Sequence, residues 1–313
     1  MSPRGQFFLV LYFLAYEIFQ RRLFSLLFAT LFIFAPKLFL FPSPGVFSVL
    51  VKPEALYFER FEYPKITFLF FAFAFYFVYR AFRRKDRLSI AFSGIGVGLL
   101  FYTYFHDWVY FLSALFTAFL IFIFWRDYSR VKTFVYLVLI GFAVAAFYWI
   151  SFYQLVHLPQ YGDVLARIGP EVGNQFRIAT VWKSYVRNLI LALLLFVALR
   201  KSNRVLFTYL CGWLLAYFLV VNIQLITGFN PHPDHWYRVS FLPIALSYAV
   251  FGLWIYERYL AKYLAKYKKY AAGTGGIFIA LFLSQQLYLQ YVFSSQNAQL
   301  FTLPRDIAQS YFW

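Results

Sequence analysis

Residues 66–108 read ITFLFFAFAFYFVYRAFRRKDRLSIAFSGIGVGLLFYTYFHDW. Two apolar runs, 66–81 and 88–105, flank a turn that carries Arg80, Arg83, Arg84, Lys85 and Arg87. The second run ends on a polar group, His106, Asp107 and Trp108. At about 1.5 Å per helical residue, each run approaches the ~30 Å thickness of a hydrocarbon layer. An apolar run, a basic turn, another apolar run and a polar turn make the pattern of helices threaded back and forth through a bilayer. In that pattern the basic residues stay on the cytoplasmic side.

The rest of the chain repeats it. Hydrophobic residues make up 63% of the 313 and charged residues 13%, where soluble domains run at roughly 45–50% and about 25%. Mean hydropathy is +0.65. A soluble fold of this length could not hide so much apolar surface. Apolar segments of spanning or near-spanning length fall at 6–20, 23–41, 66–81, 88–105, 108–125, 133–155, 186–200, 205–226, 239–256 and 275–293. The expected fold is therefore all-α: a polytopic transmembrane helix bundle of about ten spans, occupying residues 1–293, with outer loops that carry short interfacial helices. Residues 294–313 form an outer-side tail. The N-terminal stretch resembles a signal peptide but has Glu17 and Gln20 where small residues belong, so it reads as a short retained span.

Lys and Arg set the orientation. Basic turns at Arg21–Arg22, Arg80–Arg87, Arg126–Lys132, Arg200–Arg204 and Arg258–Lys269 alternate with the other connections. This places the chain in the cytoplasmic (plasma) membrane with its longer loops outside, and it accounts for the net charge of +17 without nucleic acid as a partner. The single cysteine, Cys211, permits no intrachain disulfide. Aromatic residues at 25% exceed what two interfacial belts require, so many must pack inside or face lipid. The N-terminus falls outside by this topology, which leads one to expect at least one preceding span. Thr302, Pro304 and Asp306 look like the start of a further helix.

All four histidines, His106, His157, His232 and His235, fall on the outer side. Two outer turns each combine a histidine, an aspartate and a tryptophan: His106, Asp107 and Trp108, and then Asp234, His235 and Trp236 within NPHPDHWYR. Ionisable groups at a membrane boundary are costly unless they are paired or in use. These residues could contact substrate or perform acid–base work, anchor the loop structurally, or hold a divalent metal. Their spacing fits no metal motif, and Pro233 excludes a helical i, i+4 pair, so no metal ligand and no cofactor is assigned.

Three further groups stand out. Arg60, between Glu59 and Glu62, offers a guanidinium fork to a phosphate or pairs with those neighbours. Lys183 and Arg187 lie four residues apart on one helical face, suited to an anionic headgroup or pyrophosphate, or simply to snorkelling at the interface. Arg238 adds a cation beside Trp236. Within the spans polar residues are few, chiefly Asn222 and Gln224, and no run of buried acids marks an ion pathway.

The string NIQLITGFNPHPDHWYR resembles a segment near the outer end of a late span in GT-C-fold membrane glycosyltransferases, through Asn222, Gln224, Thr227, Gly228, His235 and Trp236. Residues 59–108 are similar as well, through Arg60, Pro64, Gly94, Gly96, Gly98, Tyr102 and Tyr104. The likeness covers about residues 57–313 and rests on loose motifs. It implies sugar transfer from a polyprenyl-phosphate-linked donor on the non-cytoplasmic face, with membrane lipids as surroundings. In that family the catalytic acid sits in the first outer loop, after a first span. By the resemblance that acid would lie in a missing N-terminal segment or a partner subunit, and a soluble domain would begin in the tail at 294–313. Within this chain Asp234, His235, Asp107 and His106 are the candidates for acceptor contact and base. Arg60, Lys183, Arg187 and Arg238 are the candidates for phosphate, with Gln224 and Trp236 contacting substrate. Two other readings are a transporter or flippase of lipids or lipid-linked glycans, and a non-catalytic membrane subunit.

Overall fold

A computed structural model of the chain describes residues 3–34, 65–163, 170–172, 176, 181–231, 235–265 and single positions between 276 and 292. The fold begins from helix pairs joined by basic turns. Helix α1 (Pro3–Phe19) is followed by α2 (Arg22–Phe34), α3 (Lys65–Arg84) by α4 (Arg87–Leu100), and α5 (Phe105–Phe124) by α6 (Tyr128–Val144) and α7 (Ala146–Val156). Each of these basic turns is made by one non-glycine residue with positive φ: Gln20 at 54°, Lys85 at 58° and Arg126 at 56°. A left-handed residue closes a helix because it satisfies the last carbonyls, at a cost of about 1–2 kcal/mol without glycine. Gln20 offsets part of that cost, since its amide donates to the carbonyls of Tyr16 and Glu17. The next helices then start on side-chain caps. Asp86 accepts from the Ser89 amide at 2.8 Å, and Asp127 caps α6 through the Arg130 amide. The bonds from the Ser89 hydroxyl and amide hold the Asp86 carboxyl below its ordinary range.

The second half adds α8 (Trp182–Leu199), α9 (Arg204–Val221), the short α10 (Gln224–Thr227), α11 (Trp236–Val239) and α12 (Phe241–Ile255). The last continues through a π-helical turn (Tyr256–Leu260) into α13 (Ala261–Ala265). The only strands among the described residues form a two-stranded antiparallel ribbon, β1 (Pro170–Val172) against β2 (Phe229–Pro231), which sets Glu171 opposite Asn230.

Two packing devices hold the helices together. Glycines let α4 approach both neighbours: Gly94 and Gly98 meet α6 at Ile140, Val144 and the Gly141 carbonyl, while Gly96 meets Ala74 of α3. Small residues spaced by four are how helices close on one another where the hydrophobic effect supplies no drive. The other device is aromatic. Trp213 of α9 is buried among Phe71, Phe75, Tyr110 and Phe111, with ring centroids 4.7–5.5 Å apart. The phenols in this layer satisfy backbone carbonyls across helices: Tyr110 donates to Trp213 and Tyr209 to Phe75, each at 2.7 Å. Much of the aromatic excess is thus core. Others among the described residues face outward, as Phe124, Phe147 and Tyr153 do.

Three helices, Phe105–Phe124, Trp182–Leu199 and Arg204–Val221, are long and apolar enough to cross a membrane, and the α6–α7 pair makes a fourth if taken as one bent span. A multi-pass membrane protein follows. Ten crossings do not follow from helix length alone, because Gly5–Phe19, Arg22–Ile33 and Arg87–Leu100 are apolar but shorter. The segment expected at 275–293 lies mostly outside the described residues, as do the tail at 294–313 and the loop at 42–64. The span expected at 133–155 is broken at Ala145 and bent by 58°. Tyr102 explains the break, because its hydroxyl donates to the Val144 carbonyl and accepts from the Tyr148 amide. A side chain inserted into the backbone ladder is a standard cause of a sharp kink.

At the basic end one acid organises the turns. Glu17 of α1 is buried, and it accepts from Arg83 at 3.1 Å and from Arg84 at 3.0 and 2.9 Å. Glu17→Gln should lower stability by about 1–2 kcal/mol. That is less than the 3–5 kcal/mol of a fully buried pair, because both arginines remain 37% and 47% exposed and can turn to solvent. Thermal unfolding in detergent measures it, and an unchanged midpoint would contradict the role.

Candidate functional site

The two turns that repeat histidine, aspartate and tryptophan meet at the end opposite the basic turns. After Leu100 the chain makes a single turn, and α5 begins at Phe105, so His106 and Asp107 occupy its first turn. From the other side, α9 ends at Val221 and Gly228 closes α10 in the left-handed conformation, φ 78°. Extended residues 229–231 then lead toward α11, which starts at Trp236. Local chemistry explains each step: glycine takes the left-handed cap without strain, and Pro231 cannot continue a helix. NPHPDHWYR is therefore extended at its start and helical at its end.

His106 and His235 lie 5.2 Å apart by ring centroids. Tyr104 joins them, stacking on His106 at 4.8 Å while its hydroxyl hydrogen-bonds His235 Nδ1. Trp236 lies 4.4 Å from the His106 ring and is wholly buried. A chain of amides fixes its position. Trp236 Nε1 donates to Asn230 Oδ1 at 2.8 Å, and Asn230 Nδ2 donates to Gln224 Oε1 and to the Val221 carbonyl, both at 3.0 Å. Buried polar groups must be satisfied, and this network uses Gln224 and Trp236 to position the histidine pair. Nearby, Asn222 donates to the Tyr185 hydroxyl at 2.6 Å, tying α9 to α8.

Asp107 is buried, 4% exposed. A hydrogen bond joins its carboxyl to Thr67 of α3, yet Oδ2 has no hydrogen-bond partner among the described residues. A buried carboxylate oxygen left in that state is costly.

Arg187 and Lys183 diverge despite their shared helix. Lys183 is exposed, with Nζ 5.9 Å from the Trp182 ring. Arg187 turns inward, within electrostatic reach of Tyr110, Tyr217 and Tyr248, and donates to Asn188 at 3.3 Å. Among the described residues it forms no ion pair with a carboxylate. Tyr110 lies one helical turn beyond His106 on α5, so the arginine and the histidine pair approach the same helix. His157 stands apart at the end of α7, bonded to the Tyr153 carbonyl at 2.7 Å.

No family model, no curated protein and no solved structure matches the chain. What the site can do must come from its own residues. Its two imidazoles, one phenol and one buried carboxyl can exchange protons with a hydroxyl, and Arg187 can meet an anion. No group of three or more His, Cys, Asp or Glu that could hold a metal ion occurs among the described residues. Arg60, His232 and Asp234 lie outside those residues, as does the side chain of Arg238. Asn230, central to the geometry, had no functional mark in the sequence beyond its neighbours, and Tyr104 was marked only as part of the resemblance.

Proposed function

We propose that the chain is a membrane protein of about ten crossings that works as a glycosyltransferase on the non-cytoplasmic face. It moves a sugar from a polyprenyl-phosphate-linked donor to an acceptor hydroxyl. The observation that carries this reading is the convergence of His106, Tyr104 and His235 at one end of the helices, with Asp107 buried next to His106 in the first turn of α5 and Arg187 approaching the same helix from α8. A carboxylate or imidazole takes the acceptor proton as the hydroxyl oxygen bonds to the anomeric carbon. The bond from that carbon to the lipid phosphate breaks, and the guanidinium meets the departing charge. The same convergence argues against a purely organising subunit, which has no use for a shared proton-exchanging group. The alternating basic turns support the sidedness.

A transporter of lipid-linked glycans is the second reading, favoured by the inward Arg187 among tyrosines of α5, α9 and α12. One assay separates them: the full chain in vesicles, given a radiolabelled polyprenyl-linked sugar and a hydroxyl acceptor. The transferase forms a new glycosidic bond, whereas a transporter only moves label across the bilayer. His235→Gln should lower transfer by about a hundredfold or more with an unaltered melting temperature. Full activity in that variant would remove the histidine pair from the reaction.

A further inference from the structure

A second chemically distinct feature lies at the basic end, where α1, α8, α9 and α12 enclose a cleft of about 620 Å³. Three cations line it: Arg200 and Lys201 from the turn after α8, and Arg258 from the π-helical turn after α12. Below them the walls are apolar, formed by Val197, Val250 and Leu253 among others. Its volume lies in the range of small-molecule sites, roughly 300–1,000 Å³.

Two of the three cations rest beside aromatic rings. Arg200 sits 4.7 Å over the Phe196 ring, and Arg258 lies 5.9 Å from both Trp254 and Tyr259. Glu257, the one acid lining the cleft among the described residues, is engaged by Arg21 at 2.6 Å, and no ion pair among the described residues joins Arg200, Lys201 or Arg258 to a carboxylate. The π turn, a rare irregularity that occurs often at functional sites, is what carries residues 256–260 around the rim. Val197 is 58% exposed, so the apolar wall opens sideways rather than into protein.

We propose that this cleft binds an anionic phospholipid, its headgroup phosphate held by Arg200, Lys201 and Arg258 and its acyl chain lying past Val197. Basic pockets between transmembrane helices suit such headgroups. A free phosphate would satisfy the cations but would leave the sideways apolar wall without a partner. The cleft lies at the basic end and the histidine pair at the opposite one, and α8, whose 18 residues span about 27 Å, runs between the two ends. The proposal rests on the chain being embedded in a membrane and not on the transfer reaction, so either can fail alone.

The test is native mass spectrometry of the full chain in neutral detergent. Phosphatidylglycerol and phosphatidylcholine with the same acyl chains are titrated separately, with and without excess inorganic phosphate. Phosphatidylglycerol should be retained, phosphatidylcholine should not, and inorganic phosphate should fail to displace the lipid. The R200Q/K201Q/R258Q variant should bind roughly a hundredfold more weakly, at about fivefold per cation, while Arg200→Lys keeps most of the affinity. Should the triple variant not fold, Val197→Trp fills the apolar side of the cleft from a largely exposed position and should exclude the lipid. Equal retention of phosphatidylcholine, displacement by inorganic phosphate, or undiminished binding in the variant that folds would each overturn the proposal.

Discussion

Asp107→Asn is expected to lower sugar transfer by about 10²–10⁴-fold while the protein stays as stable as before, or becomes more so. The reasoning begins with the cost of the native residue. Asp107 is buried in the first turn of α5, with one hydrogen bond to Thr67 and with Oδ2 unpartnered among the described residues. Leaving such a group unmet costs roughly 1–3 kcal/mol, and a carboxylate costs more to bury than an amide. Asparagine has the same shape, keeps an oxygen for Thr67 and lacks the charge, so a purely structural Asp107 should be replaced with little loss. An acceptor hydroxyl donating to Oδ2 would supply the missing bond at the moment of reaction, and asparagine cannot then take its proton. Thr67→Val should act less severely, by about tenfold, because it removes a positioning bond and keeps the base. Single-turnover transfer and thermal unfolding of each variant decide the matter. Normal transfer by the asparagine protein would show that Asp107 is not the base, and a loss of stability with normal transfer would show that its role is packing.

The site was half legible in the sequence, for a physical reason. His106, Asp107, His235 and Trp236 announce themselves because ionisable and indole groups at the ends of apolar runs need a purpose. Asn230 does not, since asparagine before proline is an ordinary turn residue and only the fold buries it between Trp236 and Gln224. Gln224 and Trp236 read as substrate contacts, and the structure gives both of them positioning bonds. Arg187 and Lys183 were expected on one face. Spacing places two side chains on the same stripe of a helix, but it cannot say that one stripe turns from the surface toward the tyrosines of α9 and α12 within a single turn.

The fold was legible where it depends on local pattern. Among the described residues, helices stand where apolar runs stood, and basic turns separate several of them. What depends on a partner far along the chain was not visible. Residues 133–155 contain no proline, and nothing local announces the bend at Ala145 that the Tyr102 hydroxyl imposes. Glu17 looked like a fault in an otherwise apolar N-terminal run. Its meaning lies 66 and 67 residues away, at Arg83 and Arg84.

Gly98→Ala is expected to be the most damaging single-methyl change in the bundle, at about 2–3 kcal/mol, and its sign is set by backbone. A Cβ on Gly98 would lie 2.5 Å from Val144 Cβ and 2.7 Å from the Gly141 carbonyl oxygen. Neither can swing aside, so α4 must move off α6. Gly94 meets the same helix, with Ile140 Cβ at 2.5 Å and the Leu137 carbonyl at 2.9 Å, so the double variant should exceed either single one. Gly96 points the other way, toward Ala74 at 3.1 Å, where a few tenths of an ångström suffice, and Gly96→Ala should cost less than about 1 kcal/mol. Gly252 of α12 has nothing within 4 Å of its added Cβ. Gly252→Ala should therefore be neutral or stabilise by up to about 1 kcal/mol, since alanine loses less backbone entropy in a helix. Thermal unfolding in one detergent orders the three: Gly98 far below wild type, Gly96 slightly below, and Gly252 level or above. The bend places Tyr102 and α7 beside the histidine-bearing end, so a displaced α4 should also disturb transfer. The order matters more than any single value, because a uniform drop would mean that helix flexibility and not the α4–α6 contact governs stability.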